Sequence, residues 1–301
     1  NDGHGNASQF GNDIADGALR AAKKWGRLEQ DLSTGELMYP YWGYPFHYDP
    51  RVQLEWGYGT ILGDRDINEH CIMRLYTFTD PKYFADVTTP PTIEELVRII
   101  TRKMVPFEAD MLMLDYSADN MYSEHIAKLV AWHRYYSRFW KESMQFCDNR
   151  WPDFVNSNAP DLIGSTGDAE PRFFTAVTGK KFTFLDGINV GKKIWNLDHA
   201  IWTLQGRHRY MVHFADYIYN LPYSATAKII GREAGTWKII SVDATSGRYL
   251  EKDKFEQFKT RYYQLEGWDT ATGYPTRSTL EDLGLGYVAD ELEAKGKLGI
   301  G

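Results

Sequence analysis

Gly267-Trp268-Asp269-Thr270-Ala271-Thr272-Gly273-Tyr274-Pro275-Thr276-Arg277, running on into Leu280-Glu281-Asp282-Leu283-Gly284-Leu285, reads as a turn that feeds a capped helix. Thr272-Gly273 and Pro275 punctuate the loop, since glycine and proline are the strongest local breakers. Ser278 and Glu281 have the spacing of a capping box, which satisfies the amides of a first helical turn. The pattern predicts one helix over Thr279 to Ala294, preceded by another over Lys254 to Leu265. The end of the chain is therefore helical.

The same habit extends upstream. Phe184 to Leu204 predicts a helix with Gly206 as its stop, and Ser123 to Cys147 is the longest helical pattern. In that pattern Ile126, Leu129, Val130, His133, Tyr136, Trp140, Met144 and Cys147 recur at spacings of three and four, a stripe made for burial. Thr92 with Glu95 forms another capping box, for a helix reaching about Met104 before Pro106. Asp13 to Trp25 predicts a helix carrying Ile14, Ala18, Ala21 and Trp25 on one face and ending at Gly26. Asp31 to Tyr58, rich in Gly, Pro and aromatics, reads as a long irregular loop. Only 225–243 breaks the habit: Ala227 and Ile229, then Trp237 and Ile239, alternate around Gly235 as in a hairpin. The fold class is thus mainly α with one small β-hairpin. The loop Asp148 to Pro171 divides the chain into 1–150 and 151–301, the first a helical domain with long loops and the second mainly helical.

Composition bounds the function. A chain of 301 residues with 43% hydrophobic content can bury a large core. No run of about 18 apolar residues occurs, so no transmembrane segment is expected. The net charge of −7 is spread over mixed-sign segments without a basic run, which argues against nucleic acid as the partner. Two cysteines, Cys71 and Cys147, exclude a disulfide framework and suit a reducing cytoplasm. Ten Trp and twenty Tyr fit a large subunit interface, and hence an oligomer, a pocket for a flat substrate, or simply an aromatic core. Asn1-Asp2-Gly3-His4 is neither a signal peptide nor a methionine start, so the chain is expected to be a piece of a longer polypeptide or a processed one.

Few residues carry chemistry by themselves. Cys147 closes the aromatic-rich helix and precedes Asp148 and a proline-bearing loop. A thiolate there suits an iron–sulfur cluster, whereas a free cysteine on a buried stripe is ordinarily a small hydrophobe. His70 sits among Asp64, Asp66 and Glu69, where a neighbouring carboxylate raises the pKa of an imidazole; it reads either as a proton donor or as a hydrogen-bonded structural residue. Cys71 beside it reads as inert. His125 and His133 lack the carboxylate spacing of a metal site and read as surface and core. Gly3-His4-Gly5-Asn6 is a loop of little bulk, a weak signal for close approach of a ligand.

Taken as whole strings, these segments resemble the aldehyde ferredoxin oxidoreductase family of tungsten-pterin enzymes. The tail from Gly267 to Leu285 is similar to that family's C-terminal signature. Glu142-Ser143-Met144-Gln145-Phe146-Cys147 resembles its Asp-x-x-Gly-Leu-Cys motif, with Glu142 for Asp, Gln145 for Gly and Phe146 for Leu. Gly187 to Asp198 is similar to a Gly-Glu-Arg-Ile-x-Asn-Leu-Glu-Arg run, read here as a helix packed by Ile194, Leu197 and Ile201. His47-Tyr48-Asp49-Pro50-Arg51 matches an Asp-Pro-Arg element, and Gly63 to His70 falls where the family has Arg-Gly-Ala-x-His.

The resemblance implies a tungsten bis-pterin (molybdopterin-type) cofactor, with molybdenum equally compatible, and a 4Fe-4S cluster. It makes Cys147 one cluster ligand and puts Glu142, Gln145 and Phe146 beside the pterin. His70 becomes a proton donor near the metal. It covers only the C-terminal half of a family member, so the pterin-binding β-domain and the other cluster cysteines are expected from a missing N-terminal segment or a partner subunit. The implied partners are a ferredoxin or another iron–sulfur electron-transfer protein and a small substrate. Two branches compete: one reduces an aromatic acyl-CoA (benzoyl-CoA) ring, and the other oxidises aldehydes to carboxylates. Gly63 to His70 and Leu114 to His125 look more like the first. A helical scaffold that has lost the cofactor is the non-catalytic reading.

Overall fold

The computed structural model describes residues 8–37, 49–63, 81–146, 151 and 153–301. The chain opens with three short helices, α1 (Gln9–Ala15), α2 (Ala18–Lys24) and α3 (Leu28–Thr34). The continuous helix expected over Asp13 to Trp25 is broken at Gly17, whose φ of 94° no side-chain-bearing residue adopts readily. Ile14 and Trp25 consequently remain half exposed, and Asp13 is buried between the helices, where it accepts from Trp25 Nε1 at 3.0 Å.

Helix α4 (Leu54–Leu62) occupies the end of the segment expected to be an irregular loop, and α3 its beginning. Every residue of α4 is buried. Its Leu, Trp and Tyr content without surface charges is that of a helix enclosed on all sides, which has no amphipathic period to detect. Helix α5 (Ile93–Thr101) starts at the expected Thr92–Glu95 capping box, with both reciprocal bonds formed. It ends a turn earlier than Met104.

The long pattern from Ser123 becomes α6 (Glu124–Tyr136), a π-helical turn over Ser137–Lys141, and α7 (Glu142–Met144). Helix α8 (Ala169–Thr178) follows, then α9 (Phe184–Leu204), whose bounds match the expectation and whose N-terminus carries a Thr183–Asp186 capping box. After α10 (Asp216–Asn220) come β1 (Ala227–Glu233) and β2 (Thr236–Val242), antiparallel with Ala227 opposite Val242 and Glu233 opposite Thr236. The two-residue turn Ala234-Gly235 has φ of 49° and 83°, the left-handed pair that a tight hairpin demands. Helix α11 (Lys252–Glu266) leads to the tail, α12 (Arg277–Asp282) and α13 (Gly286–Ala294). The tail helix is capped two residues earlier than expected: the Thr276 hydroxyl accepts from the Thr279 amide, not Ser278 from Glu281. The single helix expected over Thr279 to Ala294 is two, parted at Gly284 with φ of 66°.

The core is organised around the crossing of α6 and α9. A Cβ on Gly191 would lie 1.8 Å from the Tyr135 carbonyl oxygen, and one on Gly187 2.1 Å from the Trp140 ring. Two glycines four apart thus let the helix backbones touch. The face that α9 buries is Gly187, Ile188, Gly191, Trp195 and His199, not Ile194, Leu197 and Ile201. Ile201 is exposed, and Leu197 packs on a smaller cluster formed with α12 and α13. The tail locks onto this helix: Trp268 Nε1 donates to Asn196 Oδ1 at 2.8 Å, and its ring stacks on His199 with centroids 3.5 Å apart. One apolar core runs through residues on both sides of the 148–171 loop, from Val52 to Trp268.

Candidate functional site

The helical run from Glu124 to Met144 carries charge inside the protein. His133, Arg134, Arg138 and Lys141 are all buried on α6 and the π turn. A π turn inserts one extra residue and rotates the face that follows it, a device concentrated at functional sites. Here the guanidinium groups of Arg134 and Arg138 both meet Trp195 of α9, at 5.3 and 5.7 Å from the ring, and Arg138 Nε reaches Asp198 Oδ2 at 3.0 Å. Arg207 donates to the carbonyls of Ile61 and Gly63 at 2.9 and 2.8 Å, closing the C-terminal end of α4. Arg134 lies against the same point, 3.1 Å from where a Cβ on Gly63 would stand. Arg134 and Arg207 therefore converge at the C-terminal end of α4, and Arg138 shares the Trp195 ring with Arg134.

Behind them Trp195 is held by its nitrogen. Trp195 Nε1 and the Tyr135 hydroxyl donate to the two oxygens of Glu266, at 3.2 and 2.9 Å. Glu266 is buried, and burial pushes its carboxyl above the usual range. Burial also drives the His133 imidazole well below its ordinary pKa, with Arg134 adding to the effect, so His133 is neutral. Of this cluster the sequence points only to His133, as a core residue, and not to its arginines, Lys141 or Glu266. The available signal was Arg134 and Arg138 at a spacing of four beside the stripe of which His133 is part.

The residues that were singled out fall at the far end of the same helix. Glu142 is half exposed, with Lys141 Nζ 3.9 Å away. Gln145 ends α7 in the left-handed conformation, φ 52° and ψ 40°, and is exposed. That is the position of the motif glycine, and a helix C-terminus turning left-handed is what glycine accommodates. Phe146 packs its ring on Trp151 at 4.7 Å and on Phe173 at 5.9 Å. Cys147 and His70 lie outside the described residues, as do Cys71 and Gly3-His4-Gly5-Asn6. The structure brings Glu142, Gln145 and Phe146 together as one turn and places Trp151 against it. His125 is partly exposed and paired with Asp110 at 2.8 Å, while His133 is in the core.

Trp151 is itself anchored. Its Nε1 donates to Glu170 Oε1 at 3.0 Å, which also accepts from the Tyr136 hydroxyl at 2.8 Å and from Lys103 Nζ at 2.6 Å. Lys103 and Glu170 are both buried, and desolvation lowers the Lys103 pKa against the pull of Glu170. This ion pair fixes the wall on which the Phe146 turn rests.

A family model for domains 2 and 3 of aldehyde ferredoxin oxidoreductase matches residues 4–285. The chain belongs to the aldehyde ferredoxin oxidoreductase family. Its fold is similar to that of a chain in a solved structure described as the active site complex BamBC of benzoyl coenzyme A reductase with 1,5-dienoyl-CoA. The TM-score is 0.56 at 18% identity, over 97% of this chain and 39% of that one. At that identity the likeness shows the fold, and the chain spans well under half of the relative.

Family membership implies a metal and an iron–sulfur cluster, and the residues fit only part of that. A four-iron cluster takes four thiolates, and the chain contains two cysteines. Among the described residues no group of three His, Cys, Asp or Glu side chains is arranged to hold a metal. The chain's own side chains therefore do not complete the cluster. No helix among the described residues is long and apolar enough to cross a membrane.

Proposed function

We propose that this chain is part of a tungstopterin iron–sulfur oxidoreductase that reduces the ring of an aromatic acyl-CoA. The observation that carries the reading is the family match over 4–285, joined to the similarity of 97% of this chain to part of a benzoyl-CoA reductase chain. In this reading Cys147 supplies one thiolate of a 4Fe-4S cluster, and Glu142, Gln145 and Phe146 line the pterin side of the same turn. His70 delivers a proton to the substrate, and the remaining cluster ligands and the pterin-binding domain come from a preceding segment or a partner subunit. Electrons come from a ferredoxin or a comparable iron–sulfur protein in a reducing cytoplasm. The oxidation of aldehydes to carboxylates is the competing reading, favoured by the family to which the matching model belongs.

Metal analysis of the native protein with its copurifying partners is the first test. Tungsten together with iron, and iron lost in Cys147→Ser without loss of folding, is the expected result; a native preparation free of both metals leaves a scaffold instead. Turnover of benzoyl-CoA against that of an aldehyde then separates the branches. Full turnover with an unchanged pH profile in His70→Ala removes His70 from the mechanism.

A further inference from the structure

A cavity of about 280 Å³ lies beside the Lys103–Glu170 pair, lined by Arg102, Lys103, Phe154, Ser165, Thr166 and Gly167 among others. Its ionisable lining residues are Arg102 and Lys103, both cations, in a chain whose net charge is −7. Lys103 is committed: its ammonium meets Glu170 Oε1 at 2.6 Å and Ser165 Oγ at 2.9 Å. The Arg102 guanidinium, exposed to solvent, has no ion-pair or hydrogen-bond partner among the described residues, whereas Arg98, which lines the adjoining groove, is paired with Glu94. The amides of Thr166 and Gly167 likewise make no hydrogen bond among the described residues. They precede α8, whose ten residues place partial positive charge at the same end. Asp168 is not part of the lining, and its carboxylate is taken by the Thr166 hydroxyl and Arg172.

The cavity is just below the ~300 Å³ at which small-molecule pockets begin, so it takes a single anionic group rather than a whole ligand. A second groove of about 290 Å³ continues from it through Ile99 and Arg102, with Pro90, Pro91 and Leu162 as an apolar wall. The acids of that groove are occupied locally. Glu95 closes the Thr92 cap, and Asp161 accepts from the Ile163 amide. An unpaired guanidinium between a donor-lined cavity and an apolar groove suits a phosphoryl group attached to a flat or apolar body.

We propose that the paired cavities bind an organic phosphate ester, its phosphoryl group held by Arg102 and the amides of Thr166 and Gly167. The site is independent of the redox reading, because binding alone reports on it. Calorimetric titration of the native protein with adenosine 3′,5′-bisphosphate and with inorganic phosphate tests it. The bisphosphate is expected to bind more tightly than inorganic phosphate, with affinity reduced roughly tenfold or more in Arg102→Ala and partly regained in Arg102→Lys, at unchanged thermal midpoint. Displacement of the bisphosphate by coenzyme A identifies the tail of an acyl-CoA as the source, and failure to displace identifies a free phosphate ester; both support the site. No binding, binding indifferent to Arg102→Ala, or equal affinity for inorganic phosphate overturns the proposal.

Discussion

The α6–α9 crossing and the Glu142–Phe146 turn lie along one run of helix and are built on opposite terms. At the crossing every position is over-determined, with Gly191 against a carbonyl, Gly187 under the Trp140 ring and Glu266 sealed between Tyr135 and Trp195. At the turn Glu142 and Gln145 face solvent, and Gln145 holds a backbone conformation that costs a residue with a Cβ about 1 kcal/mol or more. The same helix thus spends its buried half on packing and leaves its exposed end free to meet something else. Residues that resemble a family motif need not be those that hold the fold, and here the two sets are about two helical turns apart.

The largest test of this contrast is Gly191→Ala. Its Cβ would overlap the Tyr135 carbonyl oxygen, and two packed backbones have no side chain to move aside, so a loss of about 3 kcal/mol is expected in urea unfolding. A loss under about 1 kcal/mol would mean that the helices can part and the crossing is not the anchor described.

Next comes a pH effect located where the tail docks. Burial lowers the His199 pKa from 6.5 to about 3, and Nε2 donates to the Gly273 carbonyl at 2.6 Å. The unfolded chain binds a proton below about pH 6.5 that the folded chain refuses, so this contribution is complete above that pH and is lost as pH falls toward 3. Unfolding free energy should drop by about 2 kcal/mol from this group between pH 7 and 5. The drop should shrink by that amount in His199→Asn; an equal drop in both proteins would assign the effect elsewhere.

Two smaller effects belong to the turn. Gln145→Gly should raise stability by about 1 kcal/mol, because it relieves the left-handed residue at the end of α7. Glu142→Ala should change stability by less than about 0.5 kcal/mol, since the carboxylate is half exposed and its nearest cation is 3.9 Å away. Loss of pterin from Glu142→Ala with stability intact would assign that residue to the cofactor, whereas retained pterin would leave only its position in the motif.

Much of the framework was legible because it is local. The Thr92–Glu95 box, the bounds of α9 and the hairpin around Gly235 all follow from neighbours within a few residues. Where sequence reasoning failed, a distant partner made the decision. Helix α4 looked like loop because its aromatic residues are enclosed on every side and show no period. The cap at Thr276 beat the better-spaced Ser278 because the Thr276 hydroxyl also donates to the Gly267 carbonyl at 2.7 Å, tying the helix to the end of α11. Ile194, Leu197 and Ile201 looked like a packing face, yet the glycines on the other side permit the closer approach.

The sequence by itself determined the helical class, the hairpin and the family, because propensity, capping and motif order are written along the chain. Tertiary structure alone decided which face of α9 is buried, which arginines meet at the end of α4, and which carboxylates are sealed in the core. Those outcomes depend on burial and on contacts between residues as far apart as Tyr135 and Glu266, and neither is recorded in local spacing.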